Sequence, residues 1–87
     1  MIVIAAKAFK KKVLKLPKRL QIVLAKRIRL FMEDPFDALL NNHALSGSLR
    51  HYRSINITGD YRLIYELYDD ETIRFIDIDT HAHLYGE

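Results

Sequence analysis

Hydrophobic residues in the first part of the chain recur every three to four positions, which is the spacing of amphipathic helices. A short β-branched run at residues 2–5 predicts a strand, and the helical spacing that follows predicts a first helix over residues 7–15. Pro17 suits the first turn of a second helix, which ends at Asp34 because the residue before a proline is pushed away from helical angles. The two helices are expected to form a hairpin.

β-branched and aromatic residues dominate from residue 50 onward, as is typical of strands. Segments 52–58, 61–68 and 72–80 are separated by polar turns and predict an antiparallel meander, while residues 35–48 contain turn-forming residues and are interpreted as a connection. The predicted element order is β-α-α-β-β-β. This order predicts an α+β fold in which the N-terminal helical hairpin packs on one face of a small antiparallel sheet.

The composition favours a small intracellular protein. A chain of 87 residues has room for one core, so a single domain over residues 1–87 is expected. The absence of cysteine excludes disulfides and thiolate chemistry, and it fits a reducing compartment such as the cytoplasm. The apolar run before Lys7 is too short for a signal peptide or a membrane span, so no membrane association is expected.

The net charge of +3 hides a strong asymmetry along the chain. Ten of the 14 Lys and Arg residues precede Glu33, and no acidic residue does, so residues 1–31 carry about +10 and residues 32–87 about −7. This basic half is expected to attract a polyanion such as RNA, although a solvated basic surface opposite an acidic sheet is the alternative. The residues expected to hold nucleic-acid backbone and to face an acidic partner are Lys7, Lys10, Lys11, Lys15, Lys18 and Arg19.

Four blocks of the sequence resemble, in the same order, blocks of YafQ-type toxins in the RelE superfamily. They are residues 42–47 (Asn-His-Ala-Leu-Ser-Gly), 52–57 (Tyr-Arg-Ser-Ile-Asn-Ile), 59–65 (Gly-Asp-Tyr-Arg-Leu-Ile-Tyr) and 80–86 (Thr-His-Ala-His-Leu-Tyr-Gly). The resemblance implies an RNase-like toxin of a type II toxin–antitoxin system that cleaves mRNA, often within the ribosome, without metal or cofactor. It also implies a cognate antitoxin; the toxin is expected to be monomeric when free and hetero-oligomeric with that antitoxin.

The same resemblance assigns site residues position by position. His81 corresponds to the histidine regarded as catalytic in YafQ-like toxins, and His43 corresponds to a second active-site histidine. Asp60 matches an acidic site residue. Tyr85 falls where the family has an aromatic residue near the scissile phosphate, and Tyr61 falls where YafQ has a tryptophan.

The middle strands carry both agreements with the family and departures from it. Arg62 stands where RelE-like members have a transition-state arginine. Ser54 and Asn56 stand where YafQ has an aspartate and a histidine, and Asp77 replaces an arginine. Because Ser54 and Asn56 share a strand parity, they are expected to line the open face of the sheet as hydrogen-bonding residues. Arg53, Ser54, Asn56 and Tyr61 are all expected to bind RNA.

The residue types suit metal-free RNA cleavage, which needs a base for the 2′-OH, an acid for the departing 5′ oxygen and positive charge for the phosphorane. His81 is the candidate acid, because imidazole can exchange a proton near neutral pH. His43 and Asp60 are both candidates for the base, and either could instead serve only its loop or turn. Arg53 and Arg62 lie on adjacent predicted strands and match phosphate geometry, with pairing to acidic neighbours as the alternative.

The sequence is also compatible with other functions. The spacing of His81 and His83, close to Asp77 and Asp79, is compatible with a metal centre. A non-catalytic toxin resembling ParE, which poisons DNA gyrase by contact, would share the fold, and fold alone does not decide between the two functions. A third alternative is a catalytically degenerate relative retained for binding, suggested by Asn56 and Asp77.

Overall fold

Two helices cover one face of a five-stranded sheet, and a third short helix follows the last strand. The computed structural model describes residues 1–85; the side chain of Tyr85 and residues 86–87 lie outside what it describes. The elements are β1 (Ile2–Ala5), α1 (Lys7–Lys15), α2 (Lys18–Glu33), β2 (His43–Ala44), β3 (Tyr52–Asn56), β4 (Tyr61–Leu67), β5 (Thr72–Thr80) and α3 (His81–Tyr85). None of the helices in the described part combines the length and apolar character needed to cross a membrane.

The sheet has the strand order β1-β5-β4-β3-β2 and is mixed. The predicted antiparallel meander of β3, β4 and β5 is confirmed. The expectation of an antiparallel sheet throughout is wrong, because β1 runs parallel to β5, with Ile2 opposite Thr72 and Ala5 opposite Phe75. A parallel pair requires a long crossover connection, and all the elements between β1 and β5 supply it.

Strand β2 was not expected, because residues 35–48 are interpreted from sequence as a connection. Its two residues pair antiparallel with β3, with His43 opposite Ser54 and Ala44 opposite Arg53. A two-residue strand is too short to show any periodicity, so no sequence pattern could reveal it. Its consequence is that His43 lies in an edge strand of the sheet rather than in a free loop.

The predicted hydrophobic face of the helical hairpin forms one side of the core. Phe9 of α1 and Leu20, Leu24 and Phe31 of α2 are buried against the sheet. The Phe31 ring packs edge-on against Tyr65 with a centroid distance of 5.0 Å, and Phe9 packs 5.4 Å from Phe75. The helices therefore cover one face of the sheet, and the opposite face, called here the open face, is left for a site.

A register irregularity between β4 and β5 decides which β5 side chains reach the open face. Tyr65 pairs with Phe75, but Ile64 pairs with Asp77, so the paired positions skip one residue of β5. Ile64 and Arg62 share a strand parity, and their register partners are Asp77 and Asp79. Two acidic side chains are thereby placed beside Arg62 and the apolar surface of the open face.

We expect Phe31→Ala to lower the free energy of unfolding by about 3–5 kcal/mol, because it empties a space enclosed by aromatic rings. The control is Phe36→Ala: Phe36 is 68% exposed and contacts Arg53 at 5.3 Å from its ring centroid. Its loss should cost less than about 1 kcal/mol. Urea unfolding measures both variants, and equal losses would contradict the packing described.

Candidate active site

The guanidinium of Arg62 is the centre of a polar cluster on the open face. Arg62 is only 7% exposed. Its Nε donates to Ser54 Oγ at 2.5 Å, and its Nη1 donates to Asn56 Oδ1. Its Nη2 lies 3.4 Å from the Asn41 carbonyl oxygen and 3.2 Å from Nδ1 of His43. We call these five residues the Arg62 cluster.

Strand pairing explains why the cluster forms. Arg62 on β4 is opposite Asn56 on β3, and Ser54 is opposite His43 on β2, so the side chains come from three neighbouring strands. A buried guanidinium is tolerated only when its N–H groups find acceptors, and the cluster provides them. The structure therefore brings together four of the residues predicted from sequence: Arg62, Ser54, Asn56 and His43.

Two of these residues lie differently from the expectation. Ser54 is fully buried, so its hydroxyl accepts from Arg62 rather than lining an RNA-binding surface. Arg62 does not present an open fork to solvent, because its N–H groups already contact Ser54, Asn56 and Asn41. Its positive charge is fixed in place by these contacts, and it acts on the open face from a largely enclosed position.

His43 has two contacts through the same ring nitrogen. Its Nδ1 lies 2.9 Å from the Asn41 carbonyl oxygen and 3.2 Å from Arg62 Nη2. A protonated Nδ1 donates to the carbonyl, whereas an unprotonated Nδ1 accepts from Arg62, so the two contacts select different proton states. The imidazole is exposed and is therefore able to exchange a proton beside a fixed positive charge.

Asn41 is a site residue that sequence reasoning missed. It follows the 3-10 turn Ala38–Leu40 in the left-handed conformation, with φ 43° and ψ 51°, and this turns its carbonyl toward Arg62 and His43. Asparagine tolerates that conformation better than most residues, and strained backbone is often found at functional sites. The paired asparagines were a turn signal, but nothing in the sequence showed that the turn faces the site.

Arg53 lies away from the Arg62 cluster, so the two arginines do not form the predicted pair. Its Nε donates to Asn42 Oδ1 at 2.8 Å, and its guanidinium lies over the Phe36 ring. Arg53 also lines a hollow of about 560 Å³ together with Tyr65 and the turn between β4 and β5. None of the histidines lines that hollow, so its volume does not mark the site of the polar cluster.

His81 and Asp60 meet at one end of the sheet. The backbone N–H of His81, the first residue of α3, donates to the Asp60 carbonyl at 2.8 Å, and both residues are exposed. Tyr61, which is predicted to bind RNA, is half-buried and packs against the hydrophobic core rather than lying on the open face. The Tyr85 prediction falls outside the described side chains.

A second polar cluster lies at the edge of β5. Sequence analysis grouped Asp77, Asp79 and His83 as part of a possible metal centre, but it missed Lys12. Lys12 Nζ lies 2.7 Å from Asp77 Oδ1 and 3.0 Å from Asp79 Oδ2. His83 Nδ1 lies 2.8 Å from the same Asp79 oxygen. We call these four residues the edge cluster. The sequence feature that could have revealed Lys12 is its spacing: it follows buried Phe9 by three residues and therefore lies on the side of α1 that packs against the sheet.

The edge cluster shifts the ionisation of its members. Burial alone would raise the pKa of Asp79, but hydrogen bonds from Lys12, the Thr80 backbone N–H and His83 outweigh it, so the pKa of Asp79 is lowered. Burial alone would lower the pKa of Lys12, but hydrogen bonds to the two carboxylates raise it overall. The Lys12 ammonium therefore stays charged as the counter-ion of the two carboxylates. No group of three or more His, Cys, Asp or Glu side chains among residues 1–85 is placed to bind a metal ion.

The lysines and arginine predicted to bind nucleic-acid backbone are exposed on the helical hairpin. They are Lys7, Lys10, Lys11, Lys15, Lys18 and Arg19.

A smaller hollow of about 290 Å³ lies on the open face, lined by Tyr52, Ile64, Asp77 and Leu84 among others. The open face thus combines a fixed cation and a histidine with adjoining apolar surface.

We expect Asn41→Ala to lower the free energy of unfolding by about 1–2 kcal/mol, because alanine resists the left-handed conformation. Asn41→Gly is the matched variant: it also removes the side chain but accepts that conformation, so stability should stay at or above the wild-type value. Both variants keep the backbone carbonyl that contacts Arg62 and His43. Denaturant unfolding measures the difference, and equally destabilised variants would contradict the role given to the backbone.

We expect stability to fall in acid partly through Asp79. A carboxylate whose pKa is lowered in the folded state stabilises the protein above its unfolded pKa, and this stabilisation is lost as the pH falls through the folded value. Asp79→Asn should therefore lower stability at neutral pH and flatten its decline below about pH 4. Asp70→Asn, which changes an exposed carboxylate in the β4–β5 turn, is the control. Identical acid profiles for wild type and Asp79→Asn would contradict the edge cluster.

The fold resembles that of solved toxins over nearly the whole chain. A crystal structure of YafQ from Escherichia coli strain BL21(DE3) matches with a TM-score of 0.80 and 30% identity, covering 97% of each chain. A crystal structure of the E. coli DinJ-YafQ complex matches with a TM-score of 0.79, 30% identity and 97% of each chain. The α+β architecture derived from the sequence is confirmed by these likenesses.

Sequence comparison agrees with the structural likeness. The mRNA interferase toxin YafQ of E. coli strain K12 is 40% identical over 52 residues, which cover 60% of this chain and 55% of that relative. The match thus spans about half the length of the relative. A family model described as "Bacterial toxin of type II toxin-antitoxin system, YafQ" matches residues 3–86. Because that match takes in nearly the whole sequence, the chain belongs to the YafQ family of bacterial type II toxin–antitoxin toxins.

Proposed function

We propose that this toxin is a metal-independent endoribonuclease that cleaves mRNA on the ribosome. In this reaction a ribose 2′-OH attacks the adjacent phosphorus, the bond to the 5′ oxygen breaks, and the products carry a 2′,3′-cyclic phosphate and a 5′-OH. A relative bearing the name mRNA interferase toxin supports the substrate class. No metal is needed if the chain itself supplies a base, an acid and a fixed positive charge.

The contact between Arg62 and His43 is the observation that carries the proposal. Arg62 Nη2 and His43 Nδ1 are 3.2 Å apart on the open face. Three other residues hold the guanidinium, so its charge is in place before substrate binds and needs little reorganisation as the phosphorane forms. An imidazole that can accept a proton at Nε2, held next to a preorganised cation, is an arrangement that can promote attack by a 2′-OH.

His43 is the base that this geometry favours over Asp60. When Nδ1 donates its proton to the Asn41 carbonyl, Nε2 is left unprotonated and can take the 2′-OH proton. The protonated ring would then lie beside the Arg62 charge, and the negative phosphorane next to both groups offsets that repulsion. Asp60 belongs to the β3–β4 turn, where its backbone N–H donates to Thr58 Oγ1 at 3.2 Å.

His81 is the proposed acid for the departing 5′ oxygen. It begins α3 and is fixed through its backbone to Asp60, next to the strand pair Tyr61 and Thr80. An exposed imidazole at this end of the sheet is accessible to RNA on the open face. Tyr85 remains the proposed aromatic contact to a base beside the cleaved bond.

The basic helical hairpin is the proposed surface for rRNA or mRNA backbone. Its charges attract phosphates regardless of sequence, and each neutralised phosphate makes binding weaker at higher salt. The same surface suits an acidic antitoxin, and a YafQ relative has been crystallised in a toxin-antitoxin complex. We propose that a cognate antitoxin binds this toxin in a hetero-oligomer, that the toxin alone is monomeric, and that both act in the cytoplasm.

Brief expression followed by primer extension on cellular mRNA tests the proposal. The assay is repeated with purified ribosomes in a chelator selective for transition metals, at a Mg²⁺ concentration that keeps the ribosomes intact. We expect the wild type to cleave in chelator, and His43→Ala and His81→Ala each to lose about 100-fold or more in rate, the usual size of an acid or base contribution. His51→Ala removes another exposed imidazole outside the Arg62 cluster and should cleave as the wild type does.

Several outcomes would contradict this proposal. Cleavage that stops when transition metals are chelated, with the ribosomes still intact, would show a metal mechanism. Intact transcripts together with damaged DNA would identify a gyrase-poisoning toxin like ParE, and intact transcripts with undamaged DNA would identify an inactive relative. Full activity in His81→Ala would remove that residue from its assigned role.

A further inference from the structure

We propose that Lys12, Asp79 and His83 position His81 by fixing helix α3 on the edge of strand β5. This inference rests on the proposed function, and it assigns a role to three residues outside the set that carries the chemistry. The helix holding the proposed acid has only five residues, His81–Tyr85. An isolated helix of that length is unstable in water, so its orientation depends on contacts with the rest of the fold.

The contacts that hold α3 run from its first turn to strand β5. Thr80, which precedes the helix, accepts from the His83 backbone N–H through Oγ1 at 3.2 Å, as an N-cap residue does. The side chain of His83 then turns back to Asp79, with Nδ1 2.8 Å from Oδ2. These two contacts leave His81 at the start of the helix, joined to Asp60 through its backbone N–H.

Lys12 fixes the carboxylate to which His83 is attached. Its Nζ lies 3.0 Å from the same Oδ2 of Asp79 and 2.7 Å from Asp77. Asp79 also accepts from the Thr80 backbone N–H through Oδ1 at 2.8 Å, so both of its oxygens are occupied. A carboxylate held from two sides is restricted in its rotamers, so Asp79 offers the exposed His83 imidazole an acceptor in a defined position.

This arrangement gives His81 and His83 different roles. The contact of His83 with a carboxylate requires the proton on Nδ1, and it orients the ring toward β5. Residues two apart on a helix point to different sides, so with the His83 side chain turned to Asp79, His81 lies on another side of α3. His83 is therefore a positioning residue, while His81 faces substrate.

The edge cluster also lies beside the Arg62 cluster. Asp79 is the register partner of Arg62 on β4, so the carboxylate that anchors α3 belongs to the strand pair that carries the guanidinium. A shift of Asp79 would move both the proposed acid and the backbone next to the fixed cation. Displacements of about 1 Å in such groups can cost on the order of 100-fold in rate.

The test compares His83→Ala, His83→Asn and His51→Ala in the full-length protein acting on ribosome-bound mRNA. Asparagine places an N–H near the position of Nδ1 and keeps the contact with Asp79 without an imidazole. We expect His83→Ala to lower kcat about 10-fold or more with KM within about two-fold of wild type, His83→Asn to recover most of kcat, and His51→Ala to be unchanged.

A second measurement does not depend on catalysis. Amide hydrogen exchange at His81 should speed up about 10-fold or more in His83→Ala and in Lys12→Met, while exchange at buried Leu63 stays unchanged. Lys26→Met, which removes an exposed lysine of α2, is the matched control for Lys12 and should leave both amides as in wild type.

Unchanged kcat and unchanged exchange in His83→Ala would overturn the positioning role. If His83→Asn is as slow as His83→Ala although His81 exchange is normal, the imidazole itself takes part in the reaction, and the proposal is also wrong. If the wild type cleaves no RNA, the proposed function fails, and exchange at His81 still decides whether the contacts of Lys12, Asp79 and His83 hold α3.

Discussion

A buried positive charge is the constraint on which the open face of this protein depends. Placing a guanidinium at 7% exposure is unfavourable unless its N–H groups find acceptors, because each unpaired buried group carries a desolvation cost. The short strand β2, the left-handed backbone of Asn41 and the buried hydroxyl of Ser54 meet that requirement. Features that look irregular are thus explained by one side chain, Arg62.

The two faces of the sheet have different roles in stability and function. The aromatic and aliphatic core under α1 and α2 stabilises the fold, so polar and charged residues can occupy the other face. The distribution of charge follows the same division, with exposed basic residues on the helical hairpin and acidic residues concentrated in the second half of the chain. Lys12 joins the two sets by reaching from α1 to Asp77 and Asp79.

Periodicity predicts the elements of this fold well and their side-chain partners poorly. In α1, α2 and β3–β5 the hydrophobic residues recur at the period of the helix or strand because one whole face of each element is buried. This periodicity can be recognised in the sequence. The parallel pairing of β1 and the strand at His43 depend on long-range pairing. Strand parity places Arg53 and Arg62 on opposite faces of the sheet, so their separation could have been predicted. The burial of Ser54 depends on the residues around it and could not. Family likeness indicated His43 and Arg62, but only the fold shows Asn41 in contact with both. Likewise, only the fold shows that Lys12 shares Asp79 with His83.

The central claim is that the Arg62 cluster promotes attack by a ribose 2′-OH. The most direct test uses ribosome-bound mRNA with a single 2′-deoxy nucleotide immediately 5′ of the scissile phosphate. Without that hydroxyl we expect the toxin still to bind but not to cut at that position, whereas the all-ribose message is cut to a 2′,3′-cyclic phosphate. Equal cleavage of both messages at that position would rule out attack by the 2′-OH.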